Sequence, residues 1–254
     1  MIHLSAVSYL NTRPLVWGLM NGPDKGKLEL DFDLPAVCAQ RLAEKQVDVG
    51  LVPVIEAARQ HLTQIGSLGI ACLGPVRSIL LLSKVPIPEI RTLALDSSSR
   101  SSAMLARIVL DQGYRVEPET HFMAPDLSAM LGKADAALLI GDPALRIIPE
   151  ETGLHVLDLG EEWYKLSRLP MVFAIWAGHQ AQPELASLLD ASYRYGKDNL
   201  AEIVMAECAE RKIWPGLAYE FLNILIQYEI TDDFKRGMKL YIDEAIKMEA
   251  RRPA

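Results

Sequence analysis

Short strand-like and helix-like segments alternate from the start of this chain, and this alternation constrains the fold more than any other feature. His3–Val7 is an apolar, strand-sized run that is followed by a polar loop and a helical pattern of apolar residues. Leu28–Leu34 alternates apolar and acidic residues, Pro35 opens a second helical pattern, and Val47–Val54 is rich in valine. The order βαβαβ predicts an α/β protein whose parallel sheet is covered by helices.

A second series of the same kind begins after a proline-containing segment. Ile79–Ser83 is another buried strand, and Val85–Ile90 carries two prolines in a stretch too short to form an element. We therefore expect the chain to cross between two lobes at Val85–Ile90. Strands and helices then alternate from Thr92 to Ile140. Pro170–Ala177 is a further predicted strand, through which we expect the chain to return to the first lobe.

The resulting prediction is a two-lobed α/β fold with mostly parallel sheets and with helices at its carboxyl-terminal end. The first lobe is predicted to contain residues 1–88 and 174–254 and the second lobe residues 89–173, with a ligand cleft between them. After Pro170–Ala177 the apolar residues recur at helical spacing, and Thr231 is placed to cap the last helix.

Composition and charge exclude several functional classes. Half of the 254 residues are hydrophobic, yet no apolar run approaches the ~18 residues that a membrane-spanning helix requires. The formal net charge is -7 and no basic block offsets it, which argues against a nucleic-acid surface. The sequence begins without a basic and apolar leader, which predicts a cytoplasmic protein.

The cysteines and histidines show no spacing that is typical of a metal site. Cys38, Cys72 and Cys208 lie far apart among apolar neighbours and are predicted to be buried thiols. The five histidines are isolated in the sequence, so a metal site built from a local motif is not expected.

A run of polar residues follows the first strand of the second series. Leu95-Asp-Ser-Ser-Ser-Arg-Ser-Ser102 lies between a strand and a helix, where free backbone N–H groups and the helix dipole favour an anion. An arginine in this run can add a bidentate bond to a carboxylate. One serine is enough to cap the helix, so the other hydroxyls favour an anion site over a solvated cap. The candidate ligands of this anion are Ser99, Arg100, Ser101 and Ser102.

Two further turns occupy equivalent positions after predicted strands. Ser8 and Asn11 follow the first strand at a crevice position, although an ordinary Ser or Asn turn explains them equally well. Gly141 permits the close approach of a ligand, and Asp142 is either an acceptor or base in the site or the cap of the next helix. Weaker candidates are Ser78, Arg77 and Glu56.

Six blocks spread over nearly the whole chain resemble the chorismate dehydratases of menaquinone biosynthesis, in content and in order. They are Ser8-Tyr-Leu-Asn-Thr-Arg-Pro14, Leu42 to Glu56, Ser78-Ile-Leu-Leu81, Leu95 to Ser102, Ala137-Leu-Leu-Ile-Gly-Asp142, and Leu169-Pro-Met-Val-Phe-Ala-Ile-Trp-Ala177. The resemblance implies the type II periplasmic-binding-protein fold. It also implies a hydro-lyase that removes water from chorismate to give 3-[(1-carboxyvinyl)oxy]benzoate, the first step of the futalosine route. Three positions depart from the family pattern: Ser101 replaces Thr, and Arg168 and Met171 replace Gly and Phe.

The resemblance implies roles for the candidate residues. The polar run from Ser99 to Ser102 binds carboxylate together with Ser78, Ser8 and Asn11 orient the reacting ring, and Gly141 with Asp142 forms the opposite wall. The reaction itself requires no nicotinamide, flavin or metal. The general base is left open, and one hypothesis is that the enolpyruvyl carboxylate of the substrate takes the proton.

Two other interpretations of the same fold stay open. A solute-binding protein of a transporter binds without chemistry, but its usual export leader is absent from this sequence. The related 1,4-dihydroxy-6-naphthoate synthase also acts on an aromatic carboxylate, although the Ser-Arg-Ser-Ser run fits the dehydratase better. The expected partner is a small dicarboxylate, and the sequence leaves open whether the chain forms a homo-oligomer.

Overall fold

The computed structural model describes residues 2–251, and within this range the chain forms eleven strands and eleven α-helices. The strands are β1 (His3–Val7), β2 (Glu29–Asp33), β3 (Val49–Pro53), β4 (Thr63–Cys72), β5 (Ile79–Ser83), β6 (Thr92–Asp96), β7 (Glu119–Met123), β8 (Ala136–Ile140), β9 (His155–Asp158), β10 (Met171–Gly178) and β11 (Gln227–Glu229). The helices are α1 (Arg13–Asn21), α2 (Pro35–Ala43), α3 (Val54–Arg59), α4 (Arg100–Val109), α5 (Leu127–Leu131), α6 (Gly141–Leu145), α7 (Leu159–Ser167), α8 (Pro183–Asp198), α9 (Leu200–Arg211), α10 (Pro215–Glu220) and α11 (Asp232–Ala250).

The first lobe is built on a six-stranded sheet in the order β11-β4-β10-β3-β1-β2. Strand β1 pairs parallel with β2 and β3, as the alternation of strands and helices predicts. Strands β3 and β10 are buried along their whole length, which explains why they read as continuous apolar runs.

The second lobe is built on a five-stranded sheet in the order β7-β6-β8-β5-β9. Strand β6 pairs parallel with β7 and β8, whereas β5 pairs antiparallel with β8 and β9. Strands β5 and β8 are buried throughout and form the middle of this sheet.

Strand pairing confirms the α/β class with two sheets and corrects the expectation that the sheets are mostly parallel. Four strand pairs are parallel and five are antiparallel. The parallel pairs lie within the two series of alternating strands and helices, from β1 to β3 and from β6 to β8, and every antiparallel pair includes β4, β5 or β10. The alternation of strands and helices predicted only the parallel pairs. The direction of a strand that enters from the other lobe is not encoded in its own residues.

The crossing between the lobes lies earlier than predicted. Strand β5, which the sequence analysis placed in the first lobe, pairs in the second sheet. The chain therefore leaves the first sheet between Cys72 and Ile79 and not at Val85–Ile90. A short buried apolar run carries no information about which sheet it joins, and prolines mark only a turn. The last three residues of the predicted first lobe, 252–254, lie outside the described part of the chain.

A half-buried carboxylate, that of Asp158, joins the two crossing segments. Asp158, at the end of β9, accepts backbone N–H bonds from Val76 at 3.0 Å and from Arg77 at 2.6 Å. The same side chain caps α7 by accepting the N–H groups of Gly160 and Glu161. Burial raises the pKa of the Asp158 carboxyl, and the hydrogen bonds that it accepts partly lower it. Asp158 thus holds the outgoing segment against the helix that leads back to the first lobe.

The carboxyl-terminal part of the chain is mainly helical, as predicted. Helix α11 begins after Thr231 and buries Tyr241 and Ala245 on one side. Helices α1 and α8 approach closely because Gly18 and Gly196 lack a side chain, and a Cβ at Gly196 would lie 2.1 Å from the carbonyl oxygen of Pro14. The three cysteines are buried and unbridged, which confirms their prediction as buried thiols.

Candidate functional site

A narrow cavity lies between the two lobes at the carboxyl ends of β1, β3 and β8, and it encloses about 500 Å³ of empty space when its mouth is included. Ligands of open α/β sheets bind at such strand ends. The polar or conformationally special residues that line it are Tyr9, Asn11, Ser78, Ser99, Ser102 and Gly141. The rest of the lining consists of Val7, Pro35, Pro53, Ile70, Val76, Ile79, Ile140, Phe173, Ala174 and Ile226.

The serine turn after β6 forms one wall of this cavity. Ser99 is the N-cap of α4: its hydroxyl accepts the N–H of Ser102 at 3.2 Å and donates to the hydroxyl of Ser102 at 3.0 Å. Behind it, the fully buried Asp96 accepts both the N–H and the hydroxyl of Ser98, at 2.9 and 2.6 Å. Burial raises the pKa of Asp96 and these bonds lower it. The turn is therefore held from behind while Ser99 and Ser102 face the cavity.

Tyr9 and Gly141 form a contact between the lobes. The phenol oxygen of Tyr9 lies 2.8 Å from the hydroxyl of Ser98, and its ring covers Gly141. Gly141 has a φ of 62°, and a Cβ there would lie 2.7 Å from the Tyr9 ring. Only glycine satisfies both the left-handed backbone and this close approach. Burial raises the pKa of Tyr9 far above its ordinary value, so the phenol stays neutral.

Asp142 closes a second contact between the lobes. One oxygen of its carboxylate accepts the N–H of Leu10 at 2.9 Å, and the other pairs with the guanidinium of Arg211. Arg211 also donates to the carbonyl of Ser8 at 3.0 Å and pairs with Glu207 at 2.8 Å. We call Asp142, Arg211 and Glu207 the clasp. It fixes the loop that carries Asn11 against the amino-terminal end of α6.

The structure brings together five of the nine residues predicted for the site. Asn11, Ser78, Ser99, Ser102 and Gly141 line the cavity. Asp142 lies in the clasp with both oxygens engaged, and Ser8 contributes its carbonyl to the same clasp. Sequence position alone placed these two loops at the cavity, but it did not show which atoms point inward.

The remaining two predicted residues lie elsewhere. Arg100 points to the opposite side of α4, where it pairs with the buried Glu56 at 3.0 Å, and it lines a different cavity. Ser101 is buried behind the helix, with its carbonyl accepting the hydroxyl of Tyr241 at 2.9 Å. Of the weaker candidates, Glu56 forms ion pairs with Arg59 and Arg100, and Arg77 donates to the carbonyl of Ile147.

Tyr9 and the apolar lining were missed by sequence reasoning. Tyr9 lies between the candidates Ser8 and Asn11. The sequence did not show that its phenol contacts Ser98, which is 89 residues away in the chain. Phe173 lies on β10, whose continuous apolar run gave no sign that one of its side chains lines the cavity.

The lining of this cavity carries no ionised side chain among the described residues. Pro35, the first residue of α2, and Ser99, the N-cap of α4, both line the cavity, so the positive ends of two helix dipoles lie at it. Hydroxyls, an amide and helix ends can hold an anion without a cation. The same groups provide hydrogen-bond donors in an enclosed space, where they act strongly.

Two features of residues 2–251 bear on other functional classes. In this range no helix combines the length and the apolar character needed to cross a membrane. The same residues contain no group of three or more His, Cys, Asp or Glu side chains arranged to hold a metal ion.

This arrangement defines the class of periplasmic-binding-protein-like folds, in which two α/β lobes enclose a ligand. A structure of a protein from Archaeoglobus fulgidus superposes with a TM-score of 0.78 at 16% identity, covering 99% of this chain and 98% of that one. The periplasmic aliphatic sulphonate binding protein of Escherichia coli superposes with a TM-score of 0.66 at 12% identity, covering 98% and 87%.

Sequence comparison is more specific than the fold. Residues 2–247 match the profile of a family described as menaquinone biosynthesis, and this chain belongs to that family. A relative, the chorismate dehydratase of Thermus thermophilus, is 27% identical over 234 residues, which cover 83% of this chain and 84% of the relative. The family resemblance stated from the motifs is confirmed.

Proposed function

We propose that this protein is a chorismate dehydratase, which eliminates water from chorismate to give 3-[(1-carboxyvinyl)oxy]benzoate. The observation that carries the proposal is the enclosed cavity between the lobes, lined by neutral hydrogen-bonding groups and apolar side chains. Membership of the menaquinone biosynthesis family and the similarity to a named dehydratase support the substrate.

The reaction asks little of the protein chemically. The C–H bond at the ether-bearing ring carbon and the C–O bond of the neighbouring hydroxyl break, a C=C bond forms between the two carbons, and the proton and hydroxide leave as water. Formation of the aromatic ring supplies the driving force. The protein has to bind two carboxylates, orient the ring and keep bulk water away while the lobes are closed.

The lining favours the substrate as its own base. Tyr9 is the one titratable side chain among the described lining residues, and its raised pKa keeps it protonated. Asp142 is engaged by Leu10 and Arg211 and is not part of the lining. We therefore assign proton removal to the enolpyruvyl carboxylate of chorismate. The amide of Asn11, which lines the cavity, is suited to donate to the departing hydroxyl.

Carboxylate binding is assigned to one wall of the cavity. It is made by Ser99 and Ser102 at the start of α4 and by Ser78, which precedes β5. Their hydroxyls are buried in the lining, and the N–H groups of the first turn of α4 lack partners within the helix. A ring carboxylate that meets this wall replaces the water it loses with hydrogen bonds to the protein. Arg100 takes no part in this contact, because it lines a different cavity.

The test is to incubate the purified protein with chorismate after dialysis against chelator and to identify the products by mass spectrometry. A dehydratase converts chorismate to a product that is lighter by one water. Recovery of unchanged chorismate that co-purifies with the protein would instead show a solute-binding protein. Unchanged chorismate without binding would contradict the proposal and leave the related naphthoate synthase as the next candidate.

A further inference from the structure

The turn between β6 and α4 contains a buried serine that does not line the cavity between the lobes. Ser98 is 4% exposed and directly precedes the lining residue Ser99. Its N–H, its hydroxyl and its carbonyl all form hydrogen bonds, within its own lobe and to the other lobe. We propose that Ser98 is a positioning residue of the dehydration, because it fixes the closed arrangement in which α4 and the loop of Asn11 meet one substrate. The inference rests on the proposed function.

Within the second lobe, Ser98 is held by Asp96. One carboxylate oxygen of Asp96 accepts the N–H of Ser98 at 2.9 Å and its hydroxyl at 2.6 Å. The other oxygen accepts the N–H of Ile140, which precedes Gly141, at 3.4 Å. Asp96 is fully buried, so a single carboxylate joins the serine turn to the end of β8. The turn is thereby fixed relative to the second sheet.

Across the cleft, Ser98 contacts two parts of the first lobe. Its carbonyl accepts the N–H of Ala36 at 3.1 Å, and its hydroxyl lies 2.8 Å from the phenol oxygen of Tyr9. Ala36 is the second residue of α2, and the first N–H groups of a helix have no partner within it. The second lobe therefore supplies an acceptor that α2 lacks. Separation of the lobes breaks both of these bonds to Ser98.

The proton of each hydroxyl in this contact can be assigned. A carboxylate oxygen only accepts, so the single proton of the Ser98 hydroxyl is donated to Asp96. The bond between Ser98 and Tyr9 is therefore donated by the phenol. The resulting chain runs from Tyr9 of the first lobe through Ser98 to Asp96 of the second. Hydrogen bonds that are linked in this way in a buried site strengthen one another.

The residues around these contacts adjoin the cavity. Tyr9 lines it, Asn11 follows two residues later, and the lining residues Pro35 and Ser99 are next in the chain to the two bonded backbone groups. Loss of the contacts of Ser98 therefore changes the distance between Asn11 and the start of α4. A displacement of ~1 Å between groups that act on one substrate can cost on the order of 10² in rate. A carboxylate held only by the first turn of α4 does not depend on that distance.

The test compares Ser98→Ala with a matched variant, Ser83→Ala. Ser83 is a fully buried serine of β5 whose hydroxyl donates to the carbonyl of Val85 in the same lobe, at 2.7 Å. We expect Ser98→Ala to lower kcat for chorismate about tenfold, which corresponds to ~1.4 kcal/mol, and to leave the Kd for benzoate within about twofold. Ser83→Ala should leave both values within about twofold. Equal losses of kcat in the two variants would overturn the proposal, because any buried hydroxyl would then have the same effect.

A double-mutant cycle tests the chain of hydrogen bonds. Tyr9→Phe is expected to lower kcat/KM roughly threefold in the native background, as for one neutral hydrogen bond. In the Ser98→Ala background it should cause no further loss, because the acceptor of the phenol proton has been removed. Losses that multiply to about thirtyfold in the double variant would overturn the coupling of Tyr9 through Ser98.

The arrangement of the lobes can be measured without turnover. Spin labels at Glu44→Cys, after α2, and at Ser128→Cys, on α5, report the distance between the lobes, and the three native cysteines are buried. In the ligand-free protein Ser98→Ala should broaden the distance distribution towards longer values, whereas Ser83→Ala should not. An unchanged distribution in Ser98→Ala would overturn the positioning role. Absence of chorismate turnover in the native protein would contradict the proposed function alone, since the distance measurement does not use it.

Discussion

The two faces of helix α4 differ sharply, although they come from adjacent letters of one sequence run. Ser99 and Ser102 face the enclosed cavity between the lobes, where the described lining carries no ionised side chain. Arg100 and Arg107 line a different, wider pocket, where Arg100 pairs with Glu56 of the first lobe. The face of α4 at the cavity between the lobes thus carries hydroxyls and the helix end, and the exposed face carries guanidinium groups.

This division has a physical reason. A charged side chain buried in a closing cavity loses its hydration, and the cost is recovered only while a partner is bound. Neutral donors carry a smaller cost when the cavity is empty. The substrate brings its own charges and, in our proposal, its own base, so the enclosed face needs donors more than it needs cations.

The largest effect is expected at Asn11, which faces the serine side of α4 across the cavity. Asn11→Ala should lower kcat for chorismate on the order of 10²–10³, with little change in the affinity for a benzoate analogue, if the amide stabilises the leaving hydroxyl. Asn21→Ala, at the exposed end of α1, is the matched control. Equal losses of turnover and affinity would show that Asn11 only binds.

A smaller effect is expected at the clasp, which holds the loop that carries Asn11 against α6. Arg211→Lys keeps the charge but cannot serve Asp142, Ser8 and Glu207 at once. We expect KM to rise about tenfold, because the closed arrangement loses ~1.4 kcal/mol. Steady-state kinetics of this variant beside Arg236→Lys, an exposed surface pair, measures it. A KM equal to that of the control would show that the clasp does not contribute to substrate binding.

Tyr9→Phe removes the hydrogen bond to Ser98 without changing the ring over Gly141. We expect kcat/KM to fall roughly threefold, as for one neutral hydrogen bond.

In the native protein kcat/KM should stay flat from pH 7 to about 10, because burial raises the pKa of Tyr9 above the ordinary value of ~10. The stability that this phenol contributes is present below its unfolded pKa and is lost as pH rises through the folded one. A loss of activity centred below pH 9 that disappears in Tyr9→Phe would contradict this assignment, and Tyr219→Phe is the control.

The smallest effect is expected at Ser101, which faces neither cavity. Its hydroxyl is buried and has no partner among the described residues. Ser101→Ala should raise the free energy of unfolding by up to ~1 kcal/mol, because an unsatisfied polar group is removed, and should leave KM within about twofold. Thermal unfolding and steady-state kinetics check both values. A clear rise in KM would return Ser101 to the substrate-binding residues.

The elements of the fold were largely readable from the sequence, and their assembly was not. The strands that alternate with helices, such as β1, β3, β6 and β8, followed from apolar periodicity. Strand β4 was missed because its glycines and polar residues break that pattern, and β11 was missed because it has only three residues within a helical region. Strand β5 was found, but its sheet was assigned wrongly because pairing partners are set by tertiary contacts.

The site was readable as a set of loops but not as a set of atoms. The rule that polar turns follow strands placed Asn11, Ser99 and Gly141 at the cavity. It could not separate Ser102 from Arg100, because only the phase of α4 decides which of the two faces the ligand. Arg168, which departs from the glycine of the family pattern, caps α7 with a φ of 57°, a conformation that glycine adopts without strain.

In the proposed function the serine face of α4, and not its arginine face, binds the reacting anion. We would measure kcat/KM for chorismate in two double variants, Ser99→Ala/Ser102→Ala and Arg100→Ala/Arg107→Ala, with thermal unfolding to confirm that both are folded. Two lost hydrogen bonds to a carboxylate predict a loss of about 10²-fold or more in the serine variant. The arginine variant should lose no more than about threefold, as for a single exposed ion pair. The reverse order, with the larger loss in the arginine variant, would contradict the account.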